Sequence, residues 1–229
     1  NKGISVDKSF LFSGAPTISK TRVTSSNQQI CRVDRESDSN AYAPNLSVLQ
    51  ESLISKINSS DVVIVSDYGK GFVSNELFRI IRKHANFVSV DPKPSRLLQY
   101  ENPDLLTPNR MEALELAGKS RLMNEEFPQK EVVQEIFKKF SPKKLAITLG
   151  ADGMLLAEGE EIKKTIPTAA REVFDVSGAG DTVIAVLSMA LVAKGSFEQS
   201  AQLANLAAGI VVGKVGTASV TTEEILSLL

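Results

Sequence analysis

The residues whose types and spacing suit chemistry are concentrated in Asp175-Val-Ser-Gly-Ala-Gly-Asp-Thr182. Gly178 and Gly180 let the backbone turn tightly and approach a ligand closely. From Thr182 to Ala193 no residue is charged, as expected of a helix buried in a core. At about a dozen residues that stretch is too short for a bilayer, which needs roughly 20. A glycine turn feeding a helix leaves free N–H groups at its start, and with the helix dipole they form a site for an anion such as phosphate. A carboxylate planted there, Asp181, reads as a general base beside a phosphoryl group in transfer. The competing reading is structural, because Asp commonly caps helices and Gly-x-Gly is a common turn. The third glycine of a dinucleotide fingerprint is absent, which disfavours a nicotinamide oxidoreductase, and no Gly-Lys-Ser/Thr of a Walker A loop follows.

The octapeptide resembles the C-terminal signature of the ribokinase-type (PfkB) sugar kinases. In that family the last Asp is the catalytic base and the Gly-Ala-Gly-Asp amides form an anion hole, which implies Gly178, Ala179, Gly180 and Asp181 here. Two longer stretches, Pro167–Ile184 and Ala208–Thr217, resemble the bacterial heptose 7-phosphate kinases of the lipopolysaccharide pathway. The resemblance runs from about Val6 to Leu226. It implies a three-layer α/β/α fold with a mainly parallel sheet, a small β-hairpin lid, ATP and Mg²⁺ as cofactors, and a sugar-phosphate acceptor. For the heptose kinases that acceptor is the C1 hydroxyl of D-glycero-D-manno-heptose 7-phosphate. Other sugar kinases of the family, or a nucleotide-binding fragment without catalysis, are the alternatives. The segments Asn27-Gln-Gln-Ile30 and Ser66-Asp-Tyr-Gly-Lys-Gly71 favour the heptose kinases over ribokinase or fructokinase.

The elements that must position these residues follow from periodicity. Thr17–Val23 and Gln29–Asp34 read as a hairpin. A hairpin is marginal alone and needs something to pack on. The resemblance makes residues 10–34 the lid, makes that lid a homodimer surface, and lets Lys20 and Arg22 face a sugar phosphate; as strand residues alone they are equally well solvated charges. Asn45–Asn58 has helical spacing. Val62–Ser66 is a continuous apolar run that fits a strand buried on both faces of a parallel sheet. It ends in Asp67, Tyr68 and Lys70, and ligands of open α/β sheets bind at the carboxyl ends of strands. A simple glycine turn is the other reading. Ser74–Lys83 reads as a helix, and Phe87–Asp91 as a strand ending in Asp91-Pro-Lys93. The related kinases carry Asp-Pro-Lys in a stretch lining the site, which brings in Lys93.

Asn109 with Glu112 three residues on matches a capping box. It also resembles the family's Asn-x-x-Glu motif, which implies that Asn109, Arg110, Met111 and Glu112 border ATP and that Glu112 holds Mg²⁺ through water. Mg²⁺ keeps several waters and needs few carboxylates. Thr148 and Gly150 stand at the end of the strand Lys144–Leu149, where the family places the nucleotide's phosphates and ribose. Asn205, in the Ala-rich helix Glu198–Val212, is either a satisfied buried amide or, by resemblance, a neighbour of the adenine.

The chain has 229 residues, 42% hydrophobic and 23% charged, with net charge −1. That balance suits a globular domain and disfavours nucleic-acid binding. One cysteine, Cys31, excludes a disulfide framework, and one histidine, His84, at a helix end, makes a Ser-His-Asp triad improbable. No stretch has membrane-span or signal-peptide character, so a cytoplasmic location is expected. Ribokinase-type kinases carry on the order of a hundred further residues before the segment that corresponds to Asn1. A single, N-terminally truncated kinase domain over residues 1–229 is therefore expected, with the first strands of its sheet missing and an apolar edge exposed.

Overall fold

A computed structural model describes residues 5–6, 15–25, 28–94, 98–119, 126–170, 172–216 and 218–228. Parts of the expected lid (residues 10–14 and 26–27), residues 120–125 and Thr217 lie outside the described residues.

Strands β1 (Ser19–Ser25) and β2 (Gln28–Arg35) form an antiparallel hairpin. Its register pairs Thr21 with Val33 and Val23 with Cys31 on one face, and Lys20 with Asp34 and Arg22 with Arg32 on the other. A short 3₁₀ turn at Ser39–Tyr42 leads to α1 (Leu46–Asn58). The main sheet follows: β3 (Val63–Ser66), β4 (Val88–Asp91), β5 (Leu105–Leu106), β6 (Lys144–Thr148), β7 (Met154–Glu158) and β8 (Glu161–Ile166). They lie side by side in chain order; β3 to β6 are parallel, and β7 and β8 are added antiparallel. Helices α2 (Asn75–His84), α3 (Arg110–Leu116) and α4 (Gln129–Phe140) connect the parallel strands, and α5 (Ala179–Val192), α6 (Phe197–Val212) and α7 (Thr222–Leu226) complete the chain.

Two cores form because side chains alternate across the sheet. Leu106, Leu145, Ile147 and Leu155 join α1 to α4 on one face. Leu105, Ala146, Met154 and Leu156 join α5 and α6 on the other. The result is three layers with the sheet in the middle. In β4, Val88, Ser89 and Val90 are completely buried, and Ser89 meets Ser188 of α5 through a 2.6 Å hydroxyl bond.

Two sequence expectations change. β3 is not buried on both faces: it is the edge strand among the described residues, and Ile64 remains 38% exposed. Helix α5 begins at Ala179, three residues earlier than the uncharged stretch suggested, with Gly178 as its cap at φ +84°. It is also not buried all round, since Met189 is 58% exposed.

Candidate active site

Four parallel strands place their carboxyl ends on one side, and the start of α5 meets them there. This is why residues far apart in sequence converge. After β3, Asp67 is almost fully buried; it accepts bonds from the Gly69 amide and the Tyr100 hydroxyl, each at 2.7 Å. Both its oxygens thus fasten the 67–71 turn. Burial, and then the bond to Asp67, push the Tyr100 hydroxyl pKa well up. Gly71 sits at φ +100°, and a Cβ there would lie 1.9 Å from the Ser39 carbonyl oxygen, so only glycine fits. Lys70 pairs with Glu36 at 2.5 Å, which ties the end of the hairpin to the same turn.

Tyr68, 53% exposed, donates its hydroxyl to Asp181 Oδ1 at 3.0 Å. Lys20 of β1 lies over its ring, 5.2 Å from the centroid. Ile18, Lys20, Ser66, Asp67, Tyr68 and Lys70 line a cleft of about 490 Å³. Arg22, on the same hairpin face as Lys20, contributes to holding the Asp175 carboxyl below its usual range, after the larger effect of the Ser177 amide.

Asp181 is not the helix cap that one reading of the sequence made it. It lies in the first turn of α5, whose cap Gly178 offers no side chain. The Gly180 and Asp181 amides have no acceptor among the described residues, and the space beside Gly180 is open for at least 4 Å. Thr182 closes the turn by donating both its amide and its hydroxyl to the Gly178 carbonyl, at 2.9 and 2.8 Å. A helix start with free donors and an exposed carboxylate can bind an anion and accept a proton beside it.

At the end of β5 the capping box is formed in full. Asn109 Oδ1 accepts from the Met111 and Glu112 amides, and Glu112 Oε2 accepts from the Asn109 amide at 3.0 Å. The other Glu112 oxygen is 3.4 Å from Lys93 Nζ. A bridge between Asn109 and Thr148 continues the β5–β6 pairing and brings these two together. Arg110 turns elsewhere: it pairs with Asp152, reaches the Leu149 carbonyl and lies over the Phe127 ring. Met111 packs against the core. Gly150 opens the short 3₁₀ turn that holds Asp152. Asn205 donates to the Pro167 carbonyl at 2.7 Å and lines a different cleft, of about 520 Å³, with Ile166, Gln199 and Gln202.

Asp91, the first residue of Asp91-Pro-Lys93, lies close to the carboxylates of Glu112, Asp181 and Asp67. Burial first, then the nearby charges of Glu112 and Asp181, push its carboxyl up to about 7, against the pull of Lys93. The strand-end rule that drew attention to Asp67 applies equally to Asp91. Tyr100 carried no local signal, because its partner is 33 residues away. Among the described residues no group of three or more acidic, His or Cys side chains is arranged to hold a metal directly. Asp91 resists ionising first because it is buried and then because Glu112 and Asp181 lie near it. Several carboxylates with one nearby cation, Lys93, and a weakly held oxygen at Glu112 fit a Mg²⁺ held mainly by phosphates and water.

A profile of the pfkB family carbohydrate kinases matches residues 2–224. The bifunctional protein HldE of Sulfurimonas denitrificans is 40% identical over 226 residues, which are 97% of this chain and 46% of that protein. Its namesake from Psychromonas ingrahamii is 41% identical over 216 residues, 92% of this chain and 44% of that protein. The chain thus spans about half the length of the curated relatives it matches. Among solved structures, a ribokinase from Giardia lamblia aligns with a TM-score of 0.77 at 22% identity, over 94% of this chain and 72% of its own. A ribokinase from Thermotoga maritima gives 0.74 at 19%, over 93% and 69%. At those identities the likeness is one of fold, and the architecture is ribokinase-like. With the profile covering nearly its whole length, the chain belongs to the pfkB family of carbohydrate kinases.

Proposed function

We propose that this chain transfers the γ-phosphoryl group of ATP to the C1 hydroxyl of D-glycero-D-manno-heptose 7-phosphate, giving the 1,7-bisphosphate and ADP, a step in lipopolysaccharide core synthesis. The observation that carries it is Asp181: an exposed carboxylate in the first turn of α5, beside two unbonded amides and hydrogen-bonded to Tyr68, which lines a cleft of about 490 Å³. The choice of heptose rests on the resemblance of the sequence stretches Pro167–Ile184 and Ala208–Thr217 to the heptose kinases.

Such transfer depends on positioning and charge stabilisation more than on covalent chemistry. Asp181 takes the proton of the acceptor hydroxyl as its oxygen bonds to the γ-phosphorus and the bond to the β–γ bridging oxygen breaks. The amides from Gly178 to Asp181 hold the charge spreading over the transferred group. Lys20 and Arg22 supply positive charge to the sugar's phosphate from the inner face of the hairpin, and Lys93 borders the reacting groups through Glu112. Thr148 and Gly150 border the nucleotide phosphates, and Asn205 borders the base. Mg²⁺, held through water near Glu112, would neutralise charge on the phosphates. The outer face of the hairpin receives a second copy of the chain.

The test is ADP release from ATP and Mg²⁺ with heptose 7-phosphate, fructose 6-phosphate or ribose. Heptose-dependent release that drops by about 10²–10⁴-fold in a folded Asp181→Asn variant supports the reading. ATP binding by calorimetry without transfer to any sugar overturns it in favour of a nucleotide-binding module. Preference for another sugar overturns the choice of substrate alone.

A further inference from the structure

We propose that the Tyr68 hydroxyl guards the base: without sugar it holds the acceptor's place against Asp181 and keeps water from being phosphorylated. This rests on Asp181 being the base. A kinase that binds ATP first faces a difficulty, because water is always present and small enough to reach an open site. A carboxylate beside an anion hole can take a proton from water as well as from a sugar hydroxyl.

The structure offers a device against this. The base already accepts a bond from an O–H group, that of Tyr68, at 3.0 Å, which is the contact an acceptor hydroxyl must make. The backbone carrying Tyr68 is fixed: Asp67 is tied to Gly69 and Tyr100, and Lys70 to Glu36. The phenol itself is half exposed on the wall of the cleft and can swing away. Lys20 lies over its ring, so the strand that would touch an entering sugar phosphate also touches the guard. A sugar filling the cleft displaces the phenol and presents its own hydroxyl to Asp181. A water molecule does not fill the cleft and leaves the guard in place. The environment agrees: burial, and then the bond to and charge of Asp181, raise the Tyr68 hydroxyl above its ordinary pKa.

In unguarded hydrolysis a water oxygen bonds to the γ-phosphorus, the bond to the bridging oxygen breaks, ADP leaves, and Asp181 takes the water proton. Tyr68→Phe removes only the hydroxyl and keeps the ring under Lys20. The ratio of sugar-independent ATP hydrolysis to sugar phosphorylation is expected to rise about tenfold or more, and Asp181→Asn added to it should abolish the gain. A merely structural role would lower both rates together. A chain that phosphorylates sugar but whose ratio is unchanged in Tyr68→Phe overturns the guard alone. A wild-type chain that neither phosphorylates a sugar nor hydrolyses ATP overturns the base assignment and the guard with it. A second measurement does not need activity: in a spectrophotometric tyrosine titration, the component lost in Tyr68→Phe should move to lower pH in Asp181→Asn. If it stays in place, the contact does not exist in solution and the proposal falls.

Discussion

Asp91 shows how single side chains at this site depend on one another. Its carboxyl is raised to about 7 from an ordinary 3.8, by burial and by Glu112 and Asp181. Between those two values the folded chain keeps a proton that the unfolded chain has released. Stability therefore falls as pH rises through that window. Asp91→Asn cannot ionise and escapes the loss. Without nucleotide or metal, the variant should match the wild type near pH 4 in urea denaturation and exceed it by on the order of 1–3 kcal/mol near pH 8. A difference that does not depend on pH would show that Asp91 is not the carboxyl that holds the proton. The same crowding explains why a donor set that looks too acidic for phosphate suits a bound cation. Asp181, Tyr68 and Glu112 belong to this group, so the loss of transfer expected for Asp181→Asn and the loss of coupling expected for Tyr68→Phe are effects within one cluster.

Among the described residues, the β1–β2 hairpin packs mainly on itself. Its inner face carries Lys20 to Tyr68, while Val23 and Val33 on the outer face are 44% and 58% exposed, beside the exposed Cys31. A two-stranded sheet with one bare apolar face is marginal in water. The expected occupant is a second copy, apolar face against apolar face. Sedimentation should report a dimer that Val33→Glu shifts to monomer, because a buried unpaired charge is costly. A wild type that stays monomeric at tens of micromolar, roughly where weak protein pairs already associate, would reject this surface. Because the inner face touches Tyr68, the shift should also lower affinity for sugar more than for ATP.

At the scale of the whole molecule, the sheet has a working end and a fastened end. At the fastened end Asp104, almost fully buried, accepts from Arg82 of α2 at 2.5 Å, from the β4 amide of Val88 at 2.8 Å, and pairs with Lys143 at 2.7 Å. Burial alone would raise its pKa, but the bonds from Lys143, Val88 and Arg82 outweigh it and leave the carboxyl below 3.8. That contribution to stability is present above the unfolded value and is lost as pH falls through the lower folded one. Asp104→Ala should cost about 1–3 kcal/mol at neutral pH, shrinking toward zero below roughly pH 3 in chemical denaturation. No described helix is long and apolar enough to cross a membrane.

Much of this was legible in the chain itself. The strand and helix order, the strand-end positions of Asp67, Lys93 and Thr148, and the glycine turn before α5 follow from local pattern, because backbone period and turn chemistry are set within a few residues. The capping box at Asn109 and Glu112 was legible for the same reason. The apolar run of β3 reads alike in a central or an edge strand, so local pattern alone did not give its place in the sheet. It could not say that both oxygens of Asp67 are used up by Gly69 and Tyr100, nor that Asp91 is buried close to Glu112 and Asp181. Nor could it place the Tyr68 hydroxyl, 113 residues from its partner, against Asp181. Hydrogen-bond partners, burial and shifted acidity depend on what the fold brings within a few ångströms, and that proximity exists only once the sheet has assembled.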